Sequence, residues 1–209
     1  GTIRIAMDHI HGRCFLGVAN TLSTVPSPHF HEDPDIFDEE DKKSITYSEV
    51  YIWSRSNFPG NEHFILLREI ATKNVVDLQF LDVYPNDHGF DRDSFIAFVH
   101  SDNVVEIYKY HTDRRNFFIF QTLAFDDEYQ VTSLSSFYLK SSTYLIISSV
   151  PQGLLIYQYR CIEGFKFYLQ VPLPDVQDFT YFVSHKKIFF PVASSEPLVA
   201  QGKIQGPAF

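Results

Sequence analysis

Short apolar segments rich in aromatic and β-branched residues recur along this 209-residue chain. The four copies occupy residues 13–20, 93–100, 143–149 and 187–193, and the later ones are separated by 49 positions (95 to 144) and 44 positions (144 to 188). Each copy has the length and composition of a strand that is buried on both faces. A sequence that repeats at this spacing is typical of small units that stack on their neighbours.

Three other kinds of segment accompany these copies in a fixed order. Each unit opens with a partly alternating segment, found at 76–81, 131–137 and 176–182. The buried segment is followed by one built on Ile and aromatic residues, found at 49–55, 105–110 and 154–159. A last segment comes after a polar turn, at 63–67, 116–121 and 164–170. Tight-turn sequences at 101–103 and 151–153 join the second and third segments, as expected for neighbouring antiparallel strands.

This order predicts an all-β fold made of four-stranded antiparallel sheets, the blades of a β-propeller. An ordinary β-sandwich whose strands resemble each other by coincidence is the alternative. We predict one domain over residues 1–209, with blades at about 2–70, 75–123, 130–171 and 176–209. Closed propellers have typically four to eight blades. The chain is therefore expected to be part of a larger propeller, or to have its ring completed by another segment or another copy.

Composition excludes several classes of function. Hydrophobic residues make up 44% of the chain and aromatic residues 16%, which is enough for a substantial core. The net charge is −9 without any basic run, so neither nucleic acid nor an anionic membrane surface is an expected partner. No apolar run approaches the roughly 18 residues of a membrane helix, so no membrane insertion is predicted.

The first unit contains an acidic insertion at residues 21–47, which we predict to be a surface loop. Its imidazoles and carboxylates are of the types that bind divalent cations, but a Pro-rich loop does not hold ligands rigidly. We therefore predict no metal and no cofactor, and a solvated loop that contacts a protein partner. The residues expected to make that contact are His29, His31, Glu32, Asp33, Asp35, Asp38, Glu39, Glu40 and Asp41.

Aspartates occur at or near the starts of the opening strands, namely Asp77, Asp82, Asp126, Asp127, Asp175 and Asp178. Carboxylates that converge on a propeller channel could perform acid–base chemistry, as in glycosidases. We favour the alternative that they bond turn amides between blades. Nucleophile-elbow and phosphate-loop motifs are absent from the sequence. We predict that the protein is not an enzyme and has no catalytic residues.

Two cysteines, Cys14 and Cys161, fall in different predicted blades. Cys14 lies in a buried strand and is interpreted as a small apolar residue. Cys161 lies in a turn and is expected to be exposed. A disulfide needs Cα atoms within about 7 Å, and the first and third blades are not neighbours, so no bond between the two is predicted.

The repeated strings resemble the epitempin (EAR, also called EPTP) repeat of the leucine-rich glioma-inactivated proteins and their thrombospondin-domain relatives. The residues that carry the resemblance are 144–149, 155–159, 164–168 with Gln170, 15–20, 50–54 and 107–110. The resemblance implies a secreted or cell-surface propeller of seven blades that binds receptor ectodomains. This chain differs in blade number, in the acidic insertion, and in having a tryptophan, Trp53, in the first unit alone.

The resulting hypothesis is a non-catalytic extracellular interaction module whose blade edges and acidic loop contact a protein partner. The resemblance implies that this partner is a receptor ectodomain or another extracellular protein. Trp53, Tyr108 and Tyr157 are expected to be core residues rather than binding residues. The alternatives are an intracellular propeller scaffold with free thiols and a hydrolase that uses channel carboxylates.

Overall fold

The computed structural model describes residues 4–20, 45–55, 62–83, 92–139, 141–173, 176–184 and 187–194. Within these ranges the chain is all-β, and its helical structure is one 3₁₀ turn at Cys161–Glu163. Twelve of the sixteen strands form three four-stranded antiparallel sheets, in which each strand pairs with the next along the chain. The predicted all-β class and the predicted four-stranded antiparallel units are therefore confirmed.

The three sheets follow one another in sequence. Sheet 1 contains β1 (Arg4–Ile10), β2 (Arg13–Ala19), β3 (Ile45–Ser54) and β4 (His63–Lys73). Sheet 2 contains β5 (Val75–Val83), β6 (Asp93–His100), β7 (Val104–His111) and β8 (Asn116–Ala124). Sheet 3 contains β9 (Gln130–Leu139), β10 (Ser142–Val150), β11 (Gly153–Arg160) and β12 (Gly164–Val171).

The remaining strands form an interrupted hairpin, called here the C-terminal hairpin. Its strands are β13 (Val176–Phe179), β14 (Phe182–Ser184), β15 (Lys187–Phe189) and β16 (Val192–Ser194). β13 pairs with β16 and β14 pairs with β15. The hydrogen bond from the Thr180 N–H to the Pro191 carbonyl lies between the two paired stretches. The hairpin is thus one long antiparallel ribbon.

The sheets stack face to face because their second strands are apolar on both sides. In β6, Phe95, Ala97 and Val99 pack against sheet 3, whereas Ile96 and Phe98 pack against sheet 1. We call the face turned towards the preceding sheet the front and the face turned towards the following sheet the back. The back of sheet 3 packs in the same way against the C-terminal hairpin. Every stacking contact among the described strands therefore joins a back to a front.

Polar contacts tie neighbouring sheets together at their edges. The Gln121 side chain accepts a hydrogen bond from the Phe165 N–H (2.8 Å) and donates one to the Phe165 carbonyl (2.9 Å). The Arg4 Nε donates to the Val76 carbonyl (2.9 Å).

Gly17 lets sheets 1 and 2 approach closely, since a Cβ there would lie 3.0 Å from the Cδ1 atoms of Ile96 and Leu78. The spacing of sheets 1 and 2 is therefore tight.

Neighbouring sheets are not equally close along their width. Their first strands, β1 with β5 and β5 with β9, lie against each other over much of their length. Their last strands, β4 with β8 and β8 with β12, approach at few positions. The described sheets are therefore arranged like a fan that is narrow at the first strands.

Candidate functional site

The residues predicted to contact a partner, 29–41 of the acidic insertion, lie outside the described residues. They are His29, His31, Glu32, Asp33, Asp35, Asp38, Glu39, Glu40 and Asp41. Their role stays a prediction. Residues 45–47, the last of the predicted surface loop, instead begin β3 and are buried, which corrects the end of the loop.

Asp77 joins two sheets through backbone amides. Its Oδ2 accepts the Leu134 N–H of β9 at 2.9 Å, and its Oδ1 accepts the Leu78 N–H at 3.0 Å. A carboxylate that accepts backbone N–H groups is a structural acceptor of the kind found in turns and caps. Asp77 thus makes the inter-sheet amide bond that was favoured over a catalytic role.

Asp82 lies near the end of β5 rather than at its start, which corrects the placement expected from the sequence. It forms an ion pair with Arg92 and accepts a hydrogen bond from the Ser94 Oγ at 3.0 Å. Asp77 and Asp82 are five residues apart on one strand, a separation of roughly 16 Å. This distance does not fit a carboxylate pair acting on one bond.

Of the other predicted aspartates, Asp126 and Asp127 have described side chains. Asp126 and Asp127 are exposed in the connection between β8 and β9. Asp175 lies outside the described residues, and the backbone of Asp178 belongs to β13 while its side chain is not described. Asp77 and Asp82 are thus held by hydrogen bonds, whereas Asp126 and Asp127 are open to solvent.

A polar cluster lies between sheets 1 and 2 beside a cavity of about 130 Å³. The buried His100 accepts the Lys73 N–H at its Nδ1 (2.9 Å), and its Nε2 lies 3.4 Å from the Glu106 Oε2. Burial raises the pKa of Glu106, but the contacts with His100 and Tyr108 and the charge of Lys73 outweigh burial and place this pKa below its ordinary value. The ionised form of Glu106 is therefore stabilised at this junction.

The front of sheet 1 carries an apolar surface without a described element packed on it. Its register equates Ile5, Met7 and Leu16 with Leu78, Phe80 and Ile96 of sheet 2. The three residues of sheet 2 are buried against sheet 1, whereas Ile5 is 65% exposed and Met7 63%. We call the set Ile5, Met7, Cys14, Leu16, Trp53 and Phe64 the open patch.

A groove of about 690 Å³ runs along one end of the open patch. The Trp53 and Phe64 rings meet edge to face with 4.9 Å between centroids and line the groove together with Cys14 and Arg55. Their counterparts in sheet 2, Tyr110 and Phe117, are buried in the contact with sheet 1. Aromatic residues with this much apolar area are frequent in protein interfaces.

The three aromatic residues predicted to be core residues have different environments. Tyr108 is buried in the front of sheet 2, and Tyr157 packs half-buried between sheets 2 and 3. Trp53 is half-buried on the open patch. The sequence does not distinguish these environments, because the same aromatic pattern occurs on a sheet face that is covered and on one that no described sheet covers.

A glutamate–tyrosine pair recurs on the fronts of sheets 1 and 2. The Tyr51 hydroxyl donates to Glu49 Oε2 at 2.7 Å, and the Tyr108 hydroxyl donates to Glu106 Oε2 at 2.9 Å. Burial, together with the bond to Glu49, raises the pKa of Tyr51 to about 12. In sheet 3 the strand register places Leu155 at the position that corresponds to Glu106 in sheet 2. The pair is thus shared by the front of sheet 1 and the covered front of sheet 2, but not by the covered front of sheet 3.

Both cysteines are free thiols. Cys14 is half-buried on the open patch rather than buried in a core, which corrects the interpretation from the sequence. Cys14 belongs to β2, and among the described elements only sheet 2 packs on this strand, where it covers the back. Cys161 is exposed in the turn before β12.

Among the described residues, no cluster of three or more His, Cys, Asp or Glu side chains is placed to hold a metal ion. The described part of the chain has no helix that is long and apolar enough to span a membrane. No protein-family model matches the sequence, and no curated protein is significantly similar to it.

Proposed function

We propose that this chain is a segment of a β-propeller that serves as a non-catalytic protein–protein interaction module. The observation that carries the proposal is the fan-like stacking, in which first strands of successive sheets lie close and last strands diverge. Radial stacking of four-stranded up-and-down sheets is the architecture of propeller blades. A β-sandwich would instead keep its two sheets about equally spaced across their width.

The proposal includes a secreted or extracellular location and a receptor ectodomain as partner. These parts rest on the resemblance to the epitempin repeat, whose aromatic positions correspond to Tyr108 and Tyr110 in sheet 2 and to Tyr157 and Tyr159 in sheet 3. A non-catalytic role is supported by the hydrogen bonds that occupy Asp77 and Asp82. The acidic insertion and the exposed ends of the sheets would supply the contact surface.

The architecture is tested by distances between spin labels on exposed side chains. Met7 in β1 and Tyr138 in β9 report on first strands, and Ile65 in β4 and Phe167 in β12 report on last strands. Two sheet spacings of about 10 Å give roughly 20 Å for the first pair. We expect a clearly longer distance for the second pair, because blades diverge outwards. Equal distances for the two pairs would show parallel layers and contradict the propeller.

The interaction role is tested by titrating the immobilised chain with a panel of soluble receptor ectodomains. Saturable binding to at least one ectodomain is expected, and the urea-unfolded chain serves as the control. Binding that does not saturate, or that the unfolded chain reproduces, would speak against an interaction module. Complete reduction of Cys161 in freshly isolated protein would favour the intracellular scaffold instead.

A further inference from the structure

The two ends of the described stack expose complementary faces. The open patch is a front without a described back upon it. At the other end, the C-terminal hairpin packs its front on sheet 3 through Val176, Phe179 and Val192. Its other side exposes Phe182 (50%) and Phe189 (43%), whose rings stack with 4.9 Å between centroids. Among the described residues, one apolar front and one apolar back therefore have no other described strand packed on them.

We propose that a second copy of this chain covers the open patch with the back of its C-terminal hairpin. This contact continues the back-to-front stacking by which sheets 1 and 2, sheets 2 and 3, and sheet 3 and the hairpin are joined. Exposed apolar patches of this kind mark interaction sites in soluble proteins. The partner is thus a copy of the chain, bound through the same geometry that holds the chain itself together.

In the proposed assembly, two such contacts close a ring. The described residues of each copy form three four-stranded sheets and one hairpin, so two copies arranged head to tail would bring together eight such layers. Eight is within the range of known propellers, and a closed arrangement leaves neither apolar face exposed. The expected assembly is therefore a dimer rather than an open filament.

The open patch itself contains a reporter for this contact. Cys14 lies on the patch, whereas Cys161 is exposed in the turn between β11 and β12 of sheet 3. In the Cys161→Ser variant, the rate of Cys14 labelling should fall as the protein concentration rises. In the Cys14→Ser variant, the rate of Cys161 labelling should not depend on concentration.

The decisive measurement is the molar mass in solution as a function of concentration, by sedimentation and light scattering. We expect twice the 24.2 kDa chain mass for the unmodified protein and the monomer mass for Met7→Lys and for Phe182→Lys. Both positions are exposed, so neither change should unfold the chain, and circular dichroism checks this. Ile162→Lys is the matched control, because Ile162 is 97% exposed in the turn before β12 and should leave the dimer intact.

Three results would overturn the proposal. The first is a monomer at every concentration, which would mean that another segment covers the patch. The second is a dimer that survives Met7→Lys. The third is a dimer that Met7→Lys dissociates but Phe182→Lys does not, which would indicate front-to-front contact. The proposal rests on the propeller architecture, yet the two fail separately, since doubly labelled chain diluted with unlabelled chain reports the spin-label distances within one copy alone.

Discussion

Replacing Phe95 with alanine is expected to lower the free energy of unfolding by about 3–5 kcal/mol. Phe95 is fully buried between sheets 2 and 3, and its ring lies 5.2 Å from Phe120, 5.8 Å from Tyr159 and 6.0 Å from Phe165, measured between centroids. Alanine leaves a cavity in this aromatic cluster, and the backbone around it is fixed by two strand pairings. The loss therefore combines the transfer free energy of the ring with the cost of the void.

The measurement is urea denaturation followed by circular dichroism, with the slope of the transition compared between variants. Phe167→Ala is the matched control, because Phe167 is exposed on β12 and touches one aromatic neighbour, Tyr157. That control should lose at most about 1.5 kcal/mol. Equal losses for the two variants would mean that sheets 2 and 3 do not stack through Phe95.

Strands that are apolar on both faces explain how much of the fold can be predicted from the sequence. Segments 93–100 and 143–149 were identified as buried strands because both of their faces are apolar, and β6 and β10 occupy these positions. The pairing order followed from tight turns such as 101–103. The sequence also predicts that Asp77 bonds backbone amides between units, although the amides it binds, those of Leu134 and Leu78, belong to strands and not to turns.

Other features left no such signal. The strand β1 (Arg4–Ile10) was not identified, because its Ile5 and Met7 lie on the open patch and its remaining residues are mostly polar. β4 extends to Lys73, well beyond the predicted segment 63–67, because its later residues pair with β3 through a bulge. The open patch was missed because burial of a face depends on what stacks upon it. Sequence periodicity shows which face of a strand is apolar, but it does not show whether another element packs on that face.

Replacing Gly153 with alanine is expected to lower the free energy of unfolding by about 2–5 kcal/mol, because the costs of backbone strain and overpacking add. Gly153 begins β11 with φ +92°, a conformation that side chains disfavour. A Cβ there would lie 2.2 Å from the Val171 carbonyl oxygen and 2.4 Å from the Leu173 nitrogen. Both atoms belong to the backbone that leaves β12, so relief requires the edge of sheet 3 to move.

Gly12 separates the two causes of this loss. It also has a positive φ, +74°, in the turn between β1 and β2, but a Cβ there would meet no atom within 4 Å. Gly12→Ala should therefore show backbone strain alone, about 1–2 kcal/mol. Thermal or urea unfolding of both variants gives the comparison. If Gly153→Ala cost no more than Gly12→Ala, the end of β12 would not lie against the start of β11, and the pairing that completes sheet 3 would be wrong at that end.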